Sequence, residues 1–130
     1  MRKELDDLLV SKYPLLYANR HKDCRVTCMY WGFECGDGWF DLIDRLSSKL
    51  ERILEDQKAS GVSEEDLPKA DQVKEKMGSL RYYLTYGTDE MYDIINEAER
   101  ESENTCESCG KPGTMRNTGW ITVRCEDCKR

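Results

Sequence analysis

Two Cys-x-x-Cys pairs, Cys106/Cys109 and Cys125/Cys128, stand 15 residues apart at the end of a 130-residue chain. Each pair can present two thiolates from one tight turn, and the residues between them are enough for a hairpin that brings the two turns together. Four thiolates in a tetrahedron are what zinc takes in structural sites, with Zn–S bonds near ~2.3 Å. Such a site has no open position for water, so its role is structural and not catalytic. Iron fits the same sulfurs, whereas a redox dithiol is disfavoured because two pairs occur together at ribbon spacing. Cys106, Cys109, Cys125 and Cys128 are therefore read as metal ligands, with zinc as the cofactor. "WITVRC" reads as the returning strand, with Trp120, Thr122 and Arg124 on one face and Ile121 and Val123 on the other. The segment has almost no core of its own. Structural zinc can contribute an apparent ~10–16 kcal/mol to folding, so the tail is expected to unfold without its metal.

The other residues set the context. Charged residues make up 35% of the chain and hydrophobic ones 38%, which leaves a thin core that a metal usefully reinforces. The net charge of -6 is unevenly spread. From Thr105 onward five Lys/Arg face three Asp/Glu, a surplus of two positive charges, so residues 1–104 carry eight net negative charges. The division expected is an acidic α+β body over 1–104 and a zinc ribbon over 105–130. An acidic body repels nucleic-acid phosphates and favours a basic partner. No apolar run approaches the ~20 residues that span a bilayer, and "MRKELDD" is too charged for a signal peptide. A reducing, cytoplasmic setting without a membrane partner is expected, where seven cysteines are not a disulfide framework.

Along the body, Leu5, Leu8 and Leu9 fall on one face of a short helix that Pro14 ends. Val26, Cys28 and Tyr30 alternate as in a short extended segment, and Gly32, Gly36 and Gly38 then allow tight turns. Residues 39–58 form the strongest helix, with Trp39, Leu42, Ile43, Leu46, Leu50, Ile53 and Leu54 in one stripe. Asp37 is placed to cap it, and Asp41–Arg45 and Arg52–Asp56 are spaced for pairing along its surface. "DQVKEKMGSLRYYLTYG" alternates and contains a turn, which predicts a β-hairpin. Thr88 caps a third helix over 88–104 that buries Met91, Ile94, Ile95 and Ala98, then turns polar all round and is expected to project from the body. The fold class is α+β: two or three helices packed on a β-hairpin, followed by a four-cysteine zinc ribbon.

Further constellations compete for a role. Arg116, Trp120 and Arg124, with Lys129 and Arg130, can form an aromatic-basic patch for nucleic acid; the alternative is that Trp120 caps the metal site and the cations are merely solvated. His21, Cys24, Cys28 and Cys35 can bind a second zinc, or the cysteines can serve as small buried hydrophobes. Glu34, Asp37 and Asp41 can hold a cation or do acid–base work, although capping and solvation account for the two aspartates. A small enzyme with a metal site at Cys28, Cys35 and Asp37 is the least supported reading. No phosphate loop, serine elbow or third orienting group for a Cys–His pair accompanies it.

Together, "WGFECGDGWFDLIDRL", "DQVKEKMGSLRYYL" and "CESCGKPGTMRNTGWITVRCEDC" resemble a family of small proteins encoded by tailed bacteriophages and prophages. The resemblance covers the chain from about residue 28 onward. It implies a bacterial cytoplasmic setting, agrees with the hairpin, and carries no established activity. By association, it points to a non-enzymatic module that binds a basic surface on a bacterial machine, such as a defence complex or the transcription apparatus, and the acidic faces of helices 39–58 and 88–104 are expected to meet that surface. Nucleic-acid binding through the ribbon is the second expectation.

Overall fold

The computed structural model describes residues 1–129; Arg130 of the aromatic-basic patch lies outside them. The chain is α+β. Helix α1 spans Lys3–Lys12, strand β1 Phe33–Glu34, helix α2 Phe40–Ala59, strand β2 Ala70–Lys76, strand β3 Ser79–Leu84, helix α3 Asp89–Ser102, and strands β4 and β5 Thr114–Asn117 and Ile121–Arg124. The first sheet has the order β1-β2-β3, and β4-β5 form a second.

The predicted hairpin is β2–β3. Val73 lies opposite Tyr82 and Lys74 opposite Arg81. Met77 and Gly78 turn the chain with φ of 53° and 81°. Positive φ at both central residues gives a turn whose twist matches the strands it joins. Met77 stands in that turn and is exposed, as the "MGS" stretch implies. Strand β1 was not expected: two residues pair with β2 in parallel, Phe33 with Val73 and Glu34 with Lys74. A parallel pair needs a long crossover, and α2 supplies it.

Helix α2 buries the expected stripe, with Ile53 half-buried. Its solvent face pairs outward instead of along itself. Arg45 bonds Glu101 of α3 at 2.7 Å, and Asp44 accepts from Lys12 at 2.7 Å and from the Tyr13 hydroxyl at 2.6 Å. Glu51, on the same helix, is buried because its carboxylate accepts the amides of Leu15 and Leu16 at 3.1 and 2.8 Å.

Three local expectations are corrected. In α1 the buried face runs through Asp6, Leu9 and Tyr13, leaving Leu8 43% exposed. Asp6 turns inward to Arg20, 2.8 Å away, and also accepts the Phe33 amide at 3.4 Å. Residues 26–30 are not extended. Thr27 accepts the Met29 amide at 3.1 Å and caps a 3₁₀ turn over Cys28–Trp31, so Thr27 and Met29 face the core while Val26, Cys28 and Tyr30 face out. Finally, α3 does not leave the body after Ala98. The Ser102 hydroxyl accepts the Leu80 amide at 2.9 Å and Glu99 accepts the Tyr82 amide at 3.0 Å. Two polar residues thereby satisfy the outer edge of β3, which would otherwise present unpaired N–H groups.

Candidate metal centre

The body ends where α3 delivers the chain to Cys106. The first knuckle closes when the Cys106 amide donates to the Lys111 carbonyl at 2.8 Å and the Gly110 amide donates to the Cys106 carbonyl at 2.9 Å. The chain then runs out along β4 and returns along β5. Thr114 pairs with Arg124 and Asn117 with Ile121, so the second knuckle, Cys125–Cys128, comes back beside the first.

The four sulfurs all lie within 4.8 Å of one another, and those of Cys109 and Cys125 are 3.6 Å apart. Four thiolates bonded to one ion at ~2.3 Å stand roughly 3.8 Å from each other in a tetrahedron. The cluster therefore fits a single shared ion. Cys106 and Cys125 are buried, Cys128 is half-buried and Cys109 is exposed, which gives the site an inner and an outer side. Burial raises the Cys106 thiol, but the backbone hydrogen bonds it receives from Cys125, Cys109 and Ser108 outweigh this and bring it down to about 6. Hydrogen bonding among the sulfurs, Cys125 first, pushes Cys128 up to about 12. Negative charge is favoured at Cys106 and disfavoured at Cys109 and Cys128. A divalent cation between them removes that difference by keeping all four as thiolates.

The ribbon is seated on a socket in the body. Gly36 and Gly38 flank Asp37 in the short connection between β1 and α2. The Gly38 amide donates to the Glu107 carbonyl at 2.8 Å, and the Gly36 amide donates to the Glu107 carboxylate at 2.9 Å. A Cβ on Gly36 would lie 2.4 Å from the Glu107 carbonyl oxygen, and one on Gly38 only 2.2 Å from that of Cys106. Trp39 is fully buried, and its indole N–H donates to the Thr105 carbonyl at 2.9 Å. On the other side of the ribbon, the β2–β3 turn packs against β4 and β5: a Cβ on Gly78 would meet Ile121, Met115 and Val123 at 3.2–3.5 Å. Glu107 is held above the ordinary carboxyl range by burial.

The sequence offered "GDG" as turn chemistry and Asp37 as a helix cap. Asp37 caps nothing. Trp39 takes the N-cap position of α2, and Asp37 accepts the Arg2 amide at 2.7 Å and pairs with its guanidinium at 3.1 Å. The two glycines matter because the knuckle backbone touches them. Sequence alone could not show that Gly36, Gly38, Trp39 and Glu107 share one contact, since about 70 residues separate the two sides.

Arg116, Trp120 and Arg124 do come together, on the wall of one groove of about 370 Å³ shared with Glu75 and Glu107. Trp120 does not cap the metal site. It stands 74% exposed in the β4–β5 loop. The two arginines are engaged within the ribbon: Arg116 donates to the Arg124 carbonyl at 3.0 Å and to Glu126 at 3.1 Å, while Arg124 donates to the Ser108 hydroxyl.

The other constellations are dispersed. Among the described residues the C-terminal cysteines are the one group of three or more that gathers around a common point. His21, Cys24, Cys28 and Cys35 do not: Cys24 and Cys28 are exposed, and Cys35 is buried with its thiol pushed up to about 12 by burial. The same dispersal separates Cys28 and Cys35 from Asp37, and Glu34 and Asp37 from Asp41.

No family model matches the chain, and no curated protein or solved structure matches it either. Among the described residues no helix is long and apolar enough to cross a membrane.

Proposed function

We propose that the ribbon binds one structural zinc ion and that the chain is a non-enzymatic protein-interaction module of the phage type. Its partner is a basic surface on a bacterial protein or nucleoprotein machine in the cytoplasm. A defence complex and the transcription apparatus are the kinds of target that the resemblance to phage proteins favours. Zinc suits four sulfur ligands and a closed tetrahedral site.

The observation that carries the interaction reading is the solvent face of α3. Asp89, Glu90, Asp93 and Glu97 are all exposed there, and none forms an ion pair among the described residues. Asp89 and Glu90 also suit the positive end of the helix dipole, but Asp93 and Glu97 have no such local account. The face of α2 contributes less than the sequence implied, because Asp44 and Arg45 are already paired within the chain. Nucleic-acid contact through Arg116 and Arg124 is the weaker reading, since both guanidinium groups already serve the ribbon.

The test is co-purification of the zinc-loaded chain from bacterial lysate at low and high salt, beside Asp93→Lys/Glu97→Lys. The reading expects a protein captured by the wild type, released by salt and missed by the double variant. Capture that the charge reversal leaves untouched counts against it, as does no capture at low salt. Metal analysis separates zinc from iron.

A further inference from the structure

One face of the β1-β2-β3 sheet is turned to the core, where Phe33, Val73, Leu80, Tyr82 and Leu84 are buried and α3 packs against β3. The other face carries half-buried Lys74 and Arg81 and exposed Lys76, a charge opposite to that of the molecule. Lys74 and Arg81 lie directly across from each other on β2 and β3, with Lys76 one row further toward the turn. Like charges facing each other across strands are destabilising. Glu34, beside Lys74 on β1, is the carboxylate in that row, yet it forms no ion pair with it. None of the three cations has an ion-pair partner among the described residues. In a chain of net charge -6, three unpaired cations gathered on one sheet face are a local reversal that stability does not explain.

Aromatic rings bracket them. Tyr83 is on the same face as Arg81 and is 47% exposed. At the turn end of the hairpin, Trp120 borders a shallow groove of about 410 Å³ that Glu75, Lys76 and Met77 also line. Rows on one face of a strand repeat every ~7 Å, so rings and cations follow one another along an extended path.

We propose that this face binds single-stranded nucleic acid. Lys74, Lys76 and Arg81 meet successive phosphates, and Tyr83 and Trp120 stack on bases. Exposed rings alternating with cations are what a sequence-tolerant single-strand site needs. An acidic peptide would satisfy the cations but not the rings. A duplex would leave the rings idle, because its bases are already stacked. The carboxylates of α3 stand on the helix that satisfies the outer edge of β3, and exposed charges are largely screened beyond about 8 Å at physiological ionic strength. This surface is distinct from the acidic face of α3, and it meets the groove of the ribbon arginines at Trp120.

The experiment is fluorescence anisotropy of labelled oligothymidylate and oligouridylate with the zinc-loaded full chain, titrated between about 50 and 200 mM salt. Three phosphate contacts give a log–log salt slope of about −2. Lys74→Gln/Arg81→Gln is expected to weaken binding at least about tenfold and to lower the slope by more than 1. That pair removes a cross-strand repulsion, so it should fold at least as well as the wild type, which circular dichroism checks. Tyr83→Ala/Trp120→Ala is expected to weaken binding about tenfold or more with the slope unchanged. Lys49→Gln, on the solvent face of α2, should change nothing. Three results overturn the proposal: no binding at the lowest salt, duplex bound as tightly as single strands, or displacement of the oligonucleotide by an equal charge of polyglutamate. Loss of the lysate partner through α3 variants, with oligonucleotide binding intact, would leave this inference standing and remove only the protein-partner reading.

Discussion

The amide of Gly38 donates to the carbonyl of Glu107 at 2.8 Å, joining the start of α2 to the middle of the first metal knuckle. The contact is possible because Gly38 has no side chain: a Cβ there would sit 2.2 Å from the Cys106 carbonyl oxygen. The obstacle is backbone on both sides, so neither partner can swing away. The ribbon is thus held twice, by its own sulfurs and by a socket in the body.

Gly38→Ala is expected to force the knuckle off its seat. The lost amide bond and the steric conflict together should cost about 2–4 kcal/mol in chemical denaturation. Metal affinity should fall as well, because the displaced backbone carries Cys106. Trp39→Phe removes the bond to Thr105 and leaves a cavity where the second ring of the indole packed, so about 2–3 kcal/mol is expected. Equal stability for Gly38→Ala and the wild type would mean that the seat contributes nothing.

Arg20 bonds both carboxylate oxygens of Asp6, at 2.8 and 3.1 Å, and also the carbonyls of Met29 and Tyr30 at 3.3 and 3.2 Å. The pair sits against Gly32, whose φ of 74° leads into β1. Removing one partner of a largely buried pair strands the other, which typically costs 3–5 kcal/mol. Arg20→Ala should lose about 3 kcal/mol in urea unfolding and loosen residues 28–33 in hydrogen exchange. A loss below about 0.5 kcal/mol, the level of a surface pair, would contradict this.

Glu51 gives a pH dependence of definite sign. Burial raises its carboxyl above the ordinary range, outweighing the amides of Leu16 and Leu15 that lower it. The folded state then holds the proton more tightly than the unfolded state does. The stability linked to this proton is full below the ordinary glutamate value and is lost as pH rises through the raised one. Glu51→Gln cannot titrate. The melting temperature of the wild type relative to this variant should therefore be higher near pH 4 than at pH 7. A difference that is flat with pH, or reversed, would refute the assignment.

The parts of the fold written in periodic apolar residues were legible. The stripe from Trp39 to Leu54 and the set Met91, Ile94, Ile95 and Ala98 turn inward as their spacing implies, with only Ile53 and Ile94 half-buried. The cysteine pairs announced their own cluster because ligand number and geometry leave few alternatives. What escaped was decided by polar groups meeting across long separations. Asp6 rotated the buried face of α1 toward Arg20, and Glu99 and Ser102 kept the end of α3 on the sheet because β3 needed partners for its edge. Gly36 and Gly38 looked like turn residues, and only the arrival of Glu107 explains why both must be glycine. A one-dimensional pattern carries no sign of such meetings, because each needs two segments already folded.

The decisive measurement is site-resolved hydrogen exchange on the chain with one equivalent of zinc and after complete chelation, together with its metal content. One metal per chain is expected, with the amides of Gly38, Glu107 and Cys106 protected. Chelation should abolish protection at all three while the amide of Tyr82, bonded to Glu99, stays protected. A chain that carries no metal, or one whose Glu107 and Cys106 amides remain protected after the ion is gone, would show that the four sulfurs do not organise this end of the molecule.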